Sequence, residues 1–432
     1  MTAIHREPRP PVCGGQPMRT AAVGTSRRLR ISMVSANASP LDVSDGADVG
    51  GQSIHLAELS AALTREGHDV TVYTRADSED APERVTTLGG YTVVHVPVGP
   101  ARRMSEAEIL PLMGAFGSFL KTEWESERPD IVHAHYWMSG IATQLAARTL
   151  GIPVVQTFHA LGVVEQRFER ADSSSTHNRI HLEQLIARGA TRVVATCTDE
   201  VFELSHLGLP RSRTSVVPSG VDVAEFTPDG RADEKGKRHR LVMVGRLAPS
   251  KGFDTAIEAL SHFPDTELVI AGGPAADDVA DDPEASRLLT LAREAKVRNR
   301  VRIVGRVPRN AMPSLLRSAD AVVCTPWYEP FGMVPLEAMA CGTPVVASAV
   351  GGMRDTVVDG ITGRLISPRN PVRLAEALRQ IFDDDALRTG YGMAGCDRAR
   401  ARYSWDRVAT DTLRAYGRCV SAPPRTSRTG AH

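Results

Sequence analysis

The stretch Trp327–Gly352 reads W-Y-E-P-F-G-M-V-P-L-E-A-M-A-C-G-T-P-V-V-A-S-A-V-G-G. Its punctuation spells loop, helix, tight turn, strand and turn. Val322–Thr325 before it has the composition of a buried strand end, and Pro326 and Pro330 stop that strand from continuing. Good helix formers then fill Met333–Ala340, with Pro335 in the first turn, where a missing N–H costs nothing. Gly342 ends the helix, Pro344 forbids its restart, and Val345–Ala347 is the next strand.

Two carboxylates frame this unit. Glu329 lies in the loop before the helix, and Glu337 lies about two turns inside it. The backbone N–H groups of Gly332, Met333 and Val334, next to Phe331, are unpaired donors at a helix start. With the positive end of the helix dipole they form an anion site. One short element thus offers an anion cradle and two acceptors for hydroxyl groups. A nucleotide sugar, with its diphosphate, ribose and hexose, uses all three. The bland alternative is a surface helix with two solvated glutamates.

A second basic unit agrees with the first. G-R-L-A-P-S-K-G (245–252) follows the strand Arg240–Val244 and precedes the helix Phe253–Leu260. Arg246 and Lys251 are therefore fixed cations between a strand end and a helix start, where a diphosphate sits. A-G-G-P (271–274), with Gly273, reads as a rim for base and ribose. Near the N-terminus the strand Leu29–Ala36, the loop Asn37–Gly51, the helix Gln52–Glu66 and the strand Asp69–Thr74 make a βαβ opening. That opening lacks G-x-G-x-x-G, but Gly50 and Gly51 let backbone approach a ligand closely. Further strands are expected at Thr92–Val96, Ile131–Ala134, Val154–Thr157, Arg192–Ala195, Thr266–Gly273, Val301–Val304 and Ala321–Thr325. H-A-H-Y-W (133–137) and T-F-H-A (157–160) place histidines just past strand ends, the edge where open α/β sheets bind ligands.

E-x7-E inside E-P-F-G-x4-E-A-x-A-x-G-x-P-V-V-A-S-x-x-G-G resembles the signature of the retaining glycosyltransferases of family four, and the wider likeness runs over Leu29–Arg418. The resemblance implies an α/β protein of GT-B fold: two Rossmann-like, doubly wound parallel-sheet domains with the active site in the cleft between them. Composition marks a Pro-, Gly- and Arg-containing disordered tail (1–28, with Met18 a candidate start), a polar linker (221–240), an amphipathic helix over Tyr403–Arg418 (segment 401–419) and a second tail (420–432). The resemblance makes 29–220 the acceptor domain, 241–400 the nucleotide-sugar domain and the helix one that crosses back to the first domain. By the same resemblance His159, Arg246, Lys251 and Glu329 serve the chemistry. Donor contacts come from Gly51, Arg246, Lys251, Gly273, Glu329, Phe331, Gly332, Met333, Val334 and Glu337. Glu329 binds hexose hydroxyls and Glu337 the ribose.

Within the family, the N-terminal half most resembles the N-acetylglucosaminyltransferases that act on inositol phosphate in mycothiol synthesis. Shared features are D-V-G-G (48–51), H-Y-W-x-S-G (135–140) and R-I-x-x-E-Q from Arg179. Tyr136 and Arg179 match acceptor-phosphate ligands of those enzymes, and His135 joins them as an acceptor-side candidate. Their lysine, however, is replaced here by Glu106 and their threonine by Ala160. A carboxylate in place of a cation repels a dianion. The expected acceptor is accordingly a small polar molecule without a phosphate, an intermediate of specialised or thiol metabolism. Inositol phosphate is the alternative.

Composition sets the remaining bounds. The 432 residues imply two or three domains, and 42% hydrophobic with 24% charged residues is ordinary for a soluble protein. Lysine plus arginine equals aspartate plus glutamate at 51 each, which argues against a nucleic-acid surface. Six scattered cysteines without C-x-x-C favour reduced thiols in a cytoplasm. No apolar run approaches a membrane span, and no D-x-D stands at a strand end, so no metal and no bound cofactor are expected. The expected assembly is a monomer or homodimer. Rival classes are a sugar-nucleotide epimerase of the same architecture, a nucleotide-sugar binding module, and a hydrolase using Glu329 and Glu337 as paired carboxylates.

Overall fold

A computed structural model describes residues 27–43, 50–169 and 174–420. The expected disordered tails lie almost wholly outside the described residues. The first sheet contains β1 (Arg30–Val34), β2 (Asp69–Arg75), β3 (Arg84–Thr86), β4 (Thr92–Val96), β5 (Ile131–His135), β6 (Val154–Thr157), β7 (Arg192–Ala195) and β8 (Thr214–Val216). Its order is β3-β4-β2-β1-β5-β6-β7-β8, parallel except where β3 runs against β4. The second contains β9 (His239–Val244), β10 (Thr266–Ala271), β11 (Val301–Gly305), β12 (Ala321–Cys324), β13 (Val345–Ser348) and β14 (Gly363–Ile366). Its order is β11-β10-β9-β12-β13-β14, with every pair parallel.

Apolar runs such as V-V-C in β12 and V-V-A in β13 are buried because helices cover both faces of a parallel sheet. Each sheet reverses its winding once, between β1 and β5 in the first and between β9 and β12 in the second. Ligands bind outside the strand carboxyl ends at such a switch point. The four strand exits there lead into Ala36, Tyr136, Gly245 and Thr325, so topology alone locates the cleft.

The C-terminal helix, expected at Tyr403–Arg418, spans Trp405–Val420. The two-residue shift arises because Ser404 is extended and its hydroxyl accepts from Arg407 N. The helix buries Trp405, Val408, Ala409, Thr412, Ala415, Tyr416 and Cys419 on one stripe. That stripe packs on the first sheet with Leu56 and Leu59 of the Gly51–Arg65 helix. Arg65 pairs with Asp406 at 2.8 Å, and Val221 N donates to Tyr403 O at 2.8 Å, so the chain's two passages between the sheets lie side by side. The acidic stretch Ala276–Asp281 is a 3-10 helix. No helix among the described residues is long and apolar enough to cross a membrane. The five described cysteines are free and buried.

Candidate active site

The helix Met333–Ala340 begins after Gly332, whose φ of 63° is left-handed and free of strain only for glycine. Its Met333 side chain reaches the N-terminus of the Gly51–Arg65 helix: a Cβ on Gly51 would stand 3.3 Å from Met333 Sδ. Two positive helix ends therefore converge across the cleft. The Pro249–Lys251 turn is stitched to the loop that leads into the Met333–Ala340 helix. Gly252 there approaches Thr325 so closely that a Cβ would lie 1.9 Å from its carbonyl oxygen. Thr325 Oγ1 donates to Gly252 O at 2.9 Å, and Trp327 N donates to Ser250 O at 2.8 Å.

This stitching sets Lys251 Nζ 2.7 Å from Glu329 Oε2. The sequence placed these two residues in separate roles, on diphosphate and hexose. The structure joins them in one partly buried ion pair, with side chains 29% and 16% exposed. Arg246 is exposed and makes no ion pair or hydrogen bond among the described residues. Gly273 (φ 86°) packs on Leu247, beside Arg246.

Glu337 is 7% exposed, and its Oε1 accepts from Arg309 Nη1 at 3.1 Å. Burial raises the carboxyl pKa, and the Arg309 charge works against that rise. Arg309 was not singled out from the sequence; nothing in R-V-P-R-N marks it, and only folding brings it to Glu337.

Four imidazoles gather at the carboxyl ends of β5 and β6: His133 and His135 lie within β5 rather than past its end, His159 follows β6, and His55 comes from the Gly51–Arg65 helix. His133 and His135 ring centroids are 4.2 Å apart, those of His135 and His159 5.1 Å, and those of His159 and Phe331 5.2 Å. His55 stands edge-on to His159 at 5.3 Å and edge-on to Trp405 at 5.5 Å. His135 Nδ1 and His159 Nε2 share a 2.9 Å hydrogen bond, while His135 Nε2 and His159 Nδ1 are buried without partners. His135, expected at the acceptor, is thus fully buried and supports His159. Burial lowers all four pKa values, to about 4 for His55 and about 3 for His133, so these rings are neutral at pH 7. Tyr136 (φ 75°) and His159 (φ 64°) both occupy the left-handed region. Such strain concentrates at functional sites. The histidine motifs were visible in the sequence; His55 was not.

Of the residues expected at the acceptor, Tyr136, Glu106 and Arg179 come together. Tyr136 Oη donates to Glu106 Oε1 at 2.7 Å, and the Arg179 guanidinium lies over the Tyr136 ring, 5.1 Å from its centroid. Arg179 is already occupied: Nε donates to Glu183 at 2.8 Å, Nη1 to Glu165 at 2.6 Å and Nη2 to Ala160 O at 3.2 Å. Burial pushes Glu183 up to about 7, against the pull of Arg179. Glu165 was not singled out, and Glu183 stood in the R-I-x-x-E-Q motif without a role, although its four-residue spacing from Arg179 signals a helical ion pair.

Residues 49–225 match the family described as Glycosyltransferase Family 4, and residues 229–396 that described as Glycosyl transferases group 1. A D-inositol 3-phosphate glycosyltransferase of Xylanimonas cellulosilytica is 34% identical over 92% of this chain and 99% of its own. The chain belongs to glycosyltransferase family 4. Another family 4 relative, the D-inositol 3-phosphate glycosyltransferase of Geodermatophilus obscurus, is 33% identical over 90% of this chain and 89% of its own. Among solved structures, sucrose-phosphate synthase from Thermosynechococcus elongatus superposes with a TM-score of 0.80 at 27% identity, over 92% of this chain and 100% of that one. Anabaena HepE, solved with UDP and glucose, gives a TM-score of 0.69 at 20% identity, over 90% of this chain and 100% of that one. The fold is GT-B, and the protein is a glycosyltransferase.

Proposed function

We propose that this enzyme moves a hexose-type sugar from a nucleoside diphosphate to a hydroxyl of a small cyclitol, with retention at the anomeric carbon. The observation that carries the donor half is the meeting of two helix N-termini, at Gly51 and Met333, beside Lys251 and Arg246. Backbone donors and cations there stabilise charge as the sugar C1–oxygen bond to the diphosphate breaks. The acceptor hydroxyl attacks C1 on the same face, and its proton passes to the departing phosphate oxygen. Glu329 orients the hexose, Glu337 accepts from the ribose, and neutral His159 lines the sugar's 6-position. The reaction needs no protein nucleophile and no metal.

For the acceptor, the relatives support inositol 3-phosphate better than the unphosphorylated metabolite expected from Glu106 and Ala160. For phosphate to reach Arg179, it must displace Glu165, the partner that is one-third exposed, because Glu183 is fully enclosed. The test is mass spectrometry of products from UDP- and GDP-sugars crossed with inositol 3-phosphate, inositol and other small polyols. A glycosylated cyclitol is expected. Sugar transfer to none of the cyclitols, with turnover on an unrelated acceptor, overturns the reading.

A further inference from the structure

Arg309 sits among carboxylates from three parts of the chain. Nη1 donates to Glu337 Oε1 at 3.1 Å in the second domain. Nε faces Glu225 Oε2 at 3.2 Å, in the segment joining the two sheets. Glu58, on the Gly51–Arg65 helix of the first domain, also feels the Arg309 charge. Asp222 adds negative charge near both Glu58 and Glu225. The guanidinium is further held over the Phe226 ring, 5.0 Å from its centroid.

The planar fork of an arginine can hold two carboxylates at fixed angles; a lysine ammonium cannot reproduce that geometry. Arg309 uses separate nitrogens for Glu225 and Glu337. Only one Glu337 oxygen is taken: Oε2 makes no hydrogen bond among the described residues. Without the arginine, Glu337 would be a buried carboxylate near Glu225, with no counter-ion and no fixed orientation.

We propose that Arg309 is a positioning residue for donor recognition: it fixes Glu337 by one oxygen, leaves Oε2 for the nucleotide ribose hydroxyls, and ties that grip to the inter-domain segment through Glu225. The inference rests on the donor role proposed for Glu337. It assigns Arg309 no contact with the reacting atoms, so its loss should fall on nucleotide selectivity.

The test compares binding of UDP and GDP with that of their 2′,3′-dideoxy forms by calorimetry. The wild type, Arg309→Gln and Arg309→Lys are measured, with melting temperature followed in parallel. The wild type should bind the better-bound ribonucleotide at least tenfold more tightly than its dideoxy form. Arg309→Gln should erase most of that ratio, bringing ribonucleotide affinity near the dideoxy value, and Arg309→Lys should give an intermediate ratio. A structural role alone would weaken both forms together and leave the ratio intact. An unchanged ratio in Arg309→Gln overturns the proposal; if that variant does not fold, an unchanged ratio in Arg309→Lys does so. A wild type with no preference for the ribonucleotide instead overturns the donor role of Glu337.

Discussion

Lys251 Nζ lies 2.7 Å from Glu329 Oε2, so the cation expected at the diphosphate and the carboxylate expected at the hexose hold each other in place. Each limits the freedom of the other, and under the proposed function both would turn hydrogen bonds to the donor when it enters. Preorganisation of this kind is worth most where charge develops during reaction.

Lys251→Ala and Glu329→Ala should therefore each lower kcat on the order of a hundredfold, roughly 3 kcal/mol by analogy with other fixed electrostatic groups. The double variant should lose less than the sum of the two, because the residues act as a unit. Steady-state kinetics, with circular dichroism to confirm folding, read the outcome. Near-wild-type turnover in either single variant would remove the pair from the active site.

Turnover should be unaffected by EDTA. The charge of the leaving diphosphate is assigned to Lys251, Arg246 and the two helix ends, and among the described residues no cluster of three or more His, Cys, Asp or Glu is arranged for a metal. Loss of activity in EDTA, restored by magnesium or manganese, would count against that assignment.

Glu106→Lys should raise kcat/KM for inositol 3-phosphate relative to inositol by about tenfold or more. The substitution removes the carboxylate that holds Tyr136 Oη and supplies a cation beside Arg179. A charge-assisted bond is worth about 1.5–3 kcal/mol, and about 1.4 kcal/mol is one decade. Competition between the two acceptors, read by mass spectrometry, checks it; an unchanged preference would place Glu106 outside the acceptor pocket.

Histidine burial makes a stability prediction with a definite sign. His55 has a folded pKa of about 4, below its unfolded value of about 6.5. Between those values the unfolded chain binds a proton that the native state refuses, so stability is lost as pH falls through the window. Glu183 and Glu200, each raised to about 7 by burial, act oppositely between about 4.5 and 7. The clean measurement is therefore a difference between variants. Urea unfolding at pH 7.5 and pH 5.5 should show His55→Gln losing about 1.4 kcal/mol less than the wild type over that step. Equal losses would mean that His55 titrates normally.

Legibility followed distance along the chain. Trp327–Gly352 could be read because its glycines and prolines act locally, and Val345–Ser348 and Met333–Ala340 stand where that punctuation places them. The edge strands β3, β8 and β14 were missed because R-V-T, T-S-V and G-R-L-I are partly exposed and lack the buried apolar run that marked equally short inner strands such as V-V-A-S. Arg309, Glu165 and His55 escaped notice for a different reason. Each matters through a partner far away in sequence, and no local pattern encodes that meeting.

The last helix, Trp405–Val420, completes the hydrophobic face of the first sheet. During synthesis the first domain would therefore keep part of this face uncovered until Trp405–Val420 emerges. The second domain, whose strands are contiguous in sequence, can finish earlier. The two halves are thus not separable modules: cut after the first eight strands, the N-terminal portion should expose Leu56, Leu59 and their neighbours and aggregate. Supplying Trp405–Val420 as a separate peptide should rescue its solubility.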